Sequence, residues 1–127
     1  MEEQLPLVLV VDDDSRSREL MRIILRHAGY RVVVAPDAQA AVALLASQRP
    51  QIAIVDFMMP GMSGLEFCRW LRQRPDFAAL KFILLTGMDD AETRAEAARA
   101  GADSVVIKPF DRVELVDRLA KLLADTC

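Results

Sequence analysis

The sequence predicts a single α/β domain over residues 1–127, built on a five-stranded parallel sheet with helices on both faces. Three observations lead there. The length of 127 residues suits one domain, and at that size roughly two-thirds of the unfolded surface can be buried, enough for a core without staples. Five short runs are nearly continuously apolar, the pattern of strands covered on both faces. Segments with apolar residues at helical spacing separate them, and strict strand–helix alternation implies a parallel sheet.

Leu7 to Val11 is the first strand. Ser15 to Ala28 follows as a helix, with Leu20, Ile23, Ile24 and Ala28 at helical spacing and Gly29 as its C-terminal cap. Arg31 to Val34 is a weaker run, read as a second strand nearer an edge. Asp37 is placed to cap Ala38 to Ser47, which Pro50 closes off. Ile52 to Val55 is the third strand, and Gly64 to Gln73 the next helix, with Leu65, Cys68 and Leu71 on one side and Phe67 and Trp70 beside them. Phe82 to Leu85 is the fourth strand, Asp90 to Ala100 a helix ended by Gly101, and Val105 to Ile107 the fifth strand. Arg112 to Ala124 completes the alternation with Val116, Leu119 and Leu123 in register. Leu115 and Leu122 widen that band, which suits either packing on the sheet or a homodimer or output surface formed with the fourth helix.

Composition excludes several classes. Hydrophobic residues are 53% and charged residues 28%, which is globular rather than disordered. No apolar run is long enough to cross a bilayer, and the acidic start, Met1 to Gln4, lacks the features of a signal peptide. The two cysteines, Cys68 and Cys127, form neither a metal-type spacing nor a disulfide framework. A cytoplasmic protein without membrane contact is expected. The net charge of −3 argues against nucleic acid as a direct partner.

Ligands of such sheets bind at the carboxyl ends of the strands. Asp12, Asp13 and Asp14 follow the first run, Asp56 the third, Thr86 and Gly87 the fourth, Lys108 and Pro109 the fifth. Crowded carboxylates repel one another unless a cation sits among them. All-oxygen ligands without His or Cys select a hard ion such as Mg²⁺ (or Mn²⁺). Lysine binds phosphate as a point charge, a hydroxyl can donate to a phosphate oxygen, and aspartate can accept a phosphoryl group covalently. A calcium loop starting at Asp12 fails, because its sixth position is Ser17 and its twelfth Ile23. His27, the only histidine, falls in the last turn of its helix and is read as structural or solvent-facing.

Four stretches, Leu9-Val-Val-Asp-Asp-Asp14, Ile54-Val-Asp-Phe-Met-Met-Pro-Gly-Met-Ser-Gly64, Leu84-Leu-Thr-Gly87 and Val106-Ile-Lys-Pro-Phe110, together resemble response-regulator receiver domains of two-component signalling. The resemblance implies a flavodoxin-like doubly wound sheet of order 2-1-3-4-5. It implies that Asp12, Asp13 and Asp56 hold Mg²⁺ with the backbone carbonyl of Met58, and that Asp56 is the phosphoacceptor. Thr86 would move toward the phosphoryl group, Lys108 would pair with it, and the Lys108–Pro109 bond would be cis. The implied partners are a sensor histidine kinase or histidine phosphotransfer protein, and a downstream protein or output domain. Such a domain is no enzyme toward other substrates; it catalyses only its own phosphorylation and dephosphorylation.

One position departs from the family pattern. Val105 stands where members often carry an aromatic that rotates with the threonine. Met58 and Met88, two positions beyond Asp56 and Thr86, are apolar where members tune phosphoryl lifetime, so slow phosphoryl loss is expected. Pro60-Gly61 with Gly64 reads as turn chemistry. Arg18, Arg22 and Arg26 form a stripe that is either a solvated face or, by the resemblance, a docking face for the phosphodonor. Two other classes stay open. One is a small phosphotransferase or phosphatase, against which stand Phe57 and Met58 where a second carboxylate would be needed. The other is a phosphate-independent interaction module, against which stands the intact set Asp12, Asp13, Asp56, Thr86 and Lys108.

Overall fold

In the computed structural model, which describes residues 5–125, the five apolar runs are β1 (Leu7–Val11), β2 (Arg31–Ala35), β3 (Ile52–Asp56), β4 (Lys81–Thr86) and β5 (Ser104–Ile107). They pair in parallel in the order β2-β1-β3-β4-β5, as the resemblance implied. The acidic start Met1 to Gln4 and Cys127 lie outside the described residues. The helices are α1 (Ser15–His27), α2 (Ala38–Leu45), α3 (Gly64–Arg72), α4 (Ala91–Ala100) and α5 (Arg112–Ala124), with a 3₁₀ turn at Pro75–Phe77 that periodicity does not reveal.

Each α-helix starts at a side-chain oxygen that satisfies an otherwise orphaned N–H. Asp14, Asp37, Asp90 and Asp111 do this for α1, α2, α4 and α5. Ser63 does it for α3, in a reciprocal capping box with Glu66. Gly29 and Gly101, with φ of +102° and +99°, end α1 and α4 in the left-handed conformation that glycine adopts freely.

Strand side chains alternate between two apolar layers. Val8, Val10, Ile52, Ile54, Ile83 and Leu85 pack with Met21 and Leu25 of α1 and with Leu115 and Leu119 of α5. Leu9, Val11, Ala53, Val55, Phe82 and Leu84 pack with residues of α2, α3 and α4, among them Leu45, Phe67, Leu71 and Ala97. Both layers hold the strand ends rigidly at one edge.

One helix face differs from expectation, and a second settles a choice the spacing left open. In α1 the buried residues are Met21 and Leu25, whereas Leu20 and Ile23 are 53% and 54% exposed and Ala28 caps an exposed end. Every residue from Leu20 to Leu25 except Arg22 is apolar, so spacing left the phase of the helix undetermined; the Asp14 cap and the exit from β1 set it. In α5, Leu115 is fully buried and Leu122 packs beside it, so both belong to the sheet-facing side, while Val116 is only half-buried. Among the described residues no helix is long and apolar enough to cross a membrane.

Two packing features carry predictions. Arg72 donates from Nε to Gly101 O (2.9 Å), from Nη1 to Leu80 O (2.5 Å) and from Nη2 to Asp103 (3.0 Å), and Asp103 also accepts from Phe82 N (2.8 Å). This guanidinium ties α3 to the starts of β4 and β5. Arg72→Ala removes a charged donor from several carbonyls, so urea denaturation should show a loss of about 2 kcal/mol. Cys68 is fully buried, its Sγ 3.4 Å from Ala100 O, and burial pushes its thiol up to about 11. Cys68 should therefore resist alkylation at neutral pH in the folded protein and react on unfolding, as peptide mapping of the alkylated chain would reveal.

Candidate functional site

The carboxyl edge of the sheet gathers the predicted residues because β1 and β3 are neighbours and β4 and β5 follow. Asp12 leaves β1 with its backbone N–H donated to Ala35 O at 3.1 Å, the next rung beyond the ladder. Its Oδ1 accepts from Asp14 N (2.9 Å), and its carbonyl accepts from Arg18 Nη1 (2.8 Å). Asp56 is the last residue of β3, and Phe57 N donates to Leu85 O (2.8 Å) just beyond it. Asp12 and Asp56 are both buried, and Asp13 is exposed.

Lys108 follows β5, anchored by its N–H to Thr86 O (2.8 Å) and followed by the expected cis bond to Pro109. Its Nζ reaches across β4 to lie 3.0 Å from Asp56 Oδ1 and 4.0 Å from Asp12 Oδ2. Thr86 is buried at the end of β4, its Oγ1 accepting from Met88 N at 3.1 Å. The predicted constellation therefore meets at one edge, with the threonine hydroxyl held by the following loop.

Carboxylate oxygens of Asp12, Asp13 and Asp56 lie within 4.8 Å of one another. Lysine 108 supplies one positive charge against these three negative ones. Burial is the main influence that pushes the Asp12 carboxyl above its ordinary range; Asp56 and Asp13 push the same way, while the Asp14 N–H and Lys108 oppose it. A hard divalent cation held by oxygen ligands would offset the remaining charge. The Met58 and Met88 side chains point outward, 71% and 44% exposed, and offer no polar group there. Val105 is half-buried and packs with the core layer on the α3–α4 side. His27 is exposed on the far end of α1.

Two residues matter more here than their sequence context suggests. Gly64, read as turn chemistry, is buried at the start of α3, where a Cβ would stand 2.5 Å from the Asp56 carbonyl oxygen and 3.0 Å from Leu84 Cδ1. The absence of a side chain lets α3 press against the backbone of Asp56; only a small residue at a helix start after the Asp56 loop hints at it in sequence. Arg18, placed in the arginine stripe, is half-buried against Asp12, whereas Arg22 pairs with Glu19 on the surface.

The chain matches the response regulator receiver domain family over residues 8–120 and belongs to it. Among curated relatives, response regulator MprA of Mycolicibacterium vanbaalenii is 43% identical over 119 residues, covering 94% of this chain and 51% of that protein. The chain thus spans about half the length of the curated relatives it matches. Chemotaxis protein CheY4 of Vibrio cholerae superposes with a TM-score of 0.89 at 30% identity, covering 93% of this chain and 98% of that one. The receiver domain of a Pseudomonas aeruginosa sensor histidine kinase, with a magnesium ion coordinated in its active-site cleft, superposes with a TM-score of 0.86 at 27% identity over 94% and 98%.

Two predictions follow from the geometry. Gly64→Ala forces backbone apart at Asp56, so thermal denaturation should show a loss of about 1–3 kcal/mol. A carboxyl whose folded-state pKa is raised costs the folded state stability as pH rises through the ordinary carboxylate range and above. Asp12→Asn removes that cost, so at neutral pH and in a chelator the variant should melt a few degrees above the wild type, with the difference shrinking on acidification.

Proposed function

We propose that this receiver domain is a signalling switch that takes a phosphoryl group onto Asp56 in a Mg²⁺-dependent reaction. The observation that carries the reading is Lys108 Nζ at 3.0 Å from Asp56 Oδ1, inside a cluster of three carboxylates whose oxygens lie within 4.8 Å. A lysine poised on the acceptor and an excess of negative charge around it are what phosphoryl transfer requires, since positioning and charge neutralisation supply most of its catalysis. Asp12, Asp13 and Asp56, with the Met58 carbonyl, would hold Mg²⁺ (or Mn²⁺), which when bound neutralises charge on the phosphoryl oxygens.

The donor is a phosphohistidine of a sensor kinase or a histidine phosphotransfer protein. An Asp56 carboxylate oxygen forms the new P–O bond as the donor's P–N bond breaks, and the electron pair leaves on the imidazole nitrogen. Lys108 pairs with the incoming phosphoryl oxygens, and the Thr86 hydroxyl turns from Met88 N toward them. The output is a changed surface read by a downstream protein or output domain, in a cytoplasmic setting. The domain acts on no other substrate: water attacking phosphorus returns the Asp56 carboxylate and inorganic phosphate.

Intact-mass spectrometry after incubation with a small-molecule phosphodonor tests the reading. The wild type should gain one phosphoryl group only with Mg²⁺, and Asp56→Asn should gain none. A folded, Mg²⁺-binding protein that gains nothing from the small donor or a phosphorylated histidine protein would instead be a phosphate-independent module. The apolar, outward-facing Met58 and Met88 provide no group to guide water, so the modified mass should persist for minutes or longer after donor removal; decay within seconds would contradict this.

A further inference from the structure

Arg18 sits on the first helix, and whereas Arg22 of the same stripe pairs with Glu19, the Arg18 guanidinium is turned back onto the acidic loop. Nη1 donates to the Asp12 carbonyl at 2.8 Å. The same residue's backbone N–H donates to Asp14 O (3.0 Å), and Asp14 in turn accepts from Arg16 N (3.0 Å) and Ser17 Oγ (3.2 Å). The loop from β1 to α1 is thus closed on itself, and among the described residues Arg18 is the side chain of α1 that hydrogen-bonds the backbone of Asp12.

The consequence concerns the Asp12–Asp13 peptide. Asp12 is held through its N–H by Ala35 and through Oδ1 by Asp14 N. Its carbonyl, the remaining backbone polar group, fixes the plane of the next peptide and so the direction in which Asp13 leaves. Asp13 is exposed, and among the described residues no side chain hydrogen-bonds it into place, although its carboxylate converges with those of Asp12 and Asp56. We propose that Arg18 is a positioning residue for the cation site: by clamping the Asp12 carbonyl it pre-orients Asp13 beside Asp12 and Asp56. This inference rests on the cation-dependent reading of the site.

The sign of the effect separates positioning from plain electrostatics. A guanidinium on the Asp12 carbonyl adds positive charge near the cation site, so charge alone predicts that removing it tightens cation binding. Positioning predicts the opposite, because the loop must then be ordered by the cation itself; outer-shell partners of this kind are typically worth about 10–100-fold in metal affinity.

The experiment is calorimetric titration of Mg²⁺ into the wild type, Arg18→Ala and Arg18→Lys, with thermal melts of each in chelator. Arg18→Ala should bind Mg²⁺ about tenfold more weakly, the lower end of that range. Arg18→Lys, keeping one charged donor, should lie between it and the wild type. Phosphorylation by a small donor should recover toward the wild-type rate at saturating Mg²⁺, a split that a general loss of folding would not give. Unchanged or tighter binding by Arg18→Ala overturns the inference while leaving the functional reading intact. Should Arg18→Ala melt below the assay temperature, Arg18→Lys decides alone: weaker binding than wild type supports the clamp, and equal or tighter binding overturns it. A wild type that binds no Mg²⁺ overturns both.

Discussion

Charge crowding at the end of β1 and β3 is the constraint around which the rest of the molecule is arranged. Three carboxylates with oxygens inside 4.8 Å, two of the residues buried, face a single lysine ammonium. Left to itself such a group would separate, since like charges at that distance repel and burial penalises their charged forms. It persists because the backbone that carries it has nowhere to go. Asp12 is tied at its N–H, its carbonyl and its side chain, and Asp56 is the last rung of a strand paired on both sides.

The packing beneath explains why that backbone is stiff. Every residue of β1 and β3 is buried, and their side chains alternate into separate layers against α1 and α5 on one face and α2, α3 and α4 on the other. Close-packed interiors resist displacement of either layer. The tightest point is Gly64, where α3 presses on the carbonyl of Asp56 so closely that a single methyl group would collide. Asp56 is therefore positioned from below by the sheet and from the side by a helix start. Lys108, by contrast, is reached from an edge strand through its own bond to Thr86, so threonine and lysine are mechanically linked.

That link bears on how a change at Asp56 would spread. Thr86 ends β4 with its hydroxyl engaged by Met88 N, at the start of the loop into α4. On the proposed reading, this hydroxyl would give up its bond to Met88 N for a phosphoryl oxygen and so free the loop. Val105 lies half-buried on the α3–α4 side of β5.

Most of this was legible in the residues themselves. The five strands stood out because a parallel sheet covered on both faces needs unbroken apolar runs, and the site followed because the first polar residues after those runs must collect at one edge. The caps Asp14 and Asp37 and the glycines at 29 and 101 were likewise local chemistry. What stayed hidden depended on contacts between segments distant in sequence or on choices among equivalent faces. The phase of α1 between Leu20 and Leu25, the burial of Leu115, the close approach of Gly64 to Asp56 and the turn of Arg18 onto Asp12 are all of this kind. Sequence alone determined which residues form strands, helices and the acidic edge, because those follow from periodicity and from the polarity of single positions. Only the tertiary structure decided which apolar stripe faces inward and which side chains hold the carboxylates together, because those depend on distances that chain order does not encode.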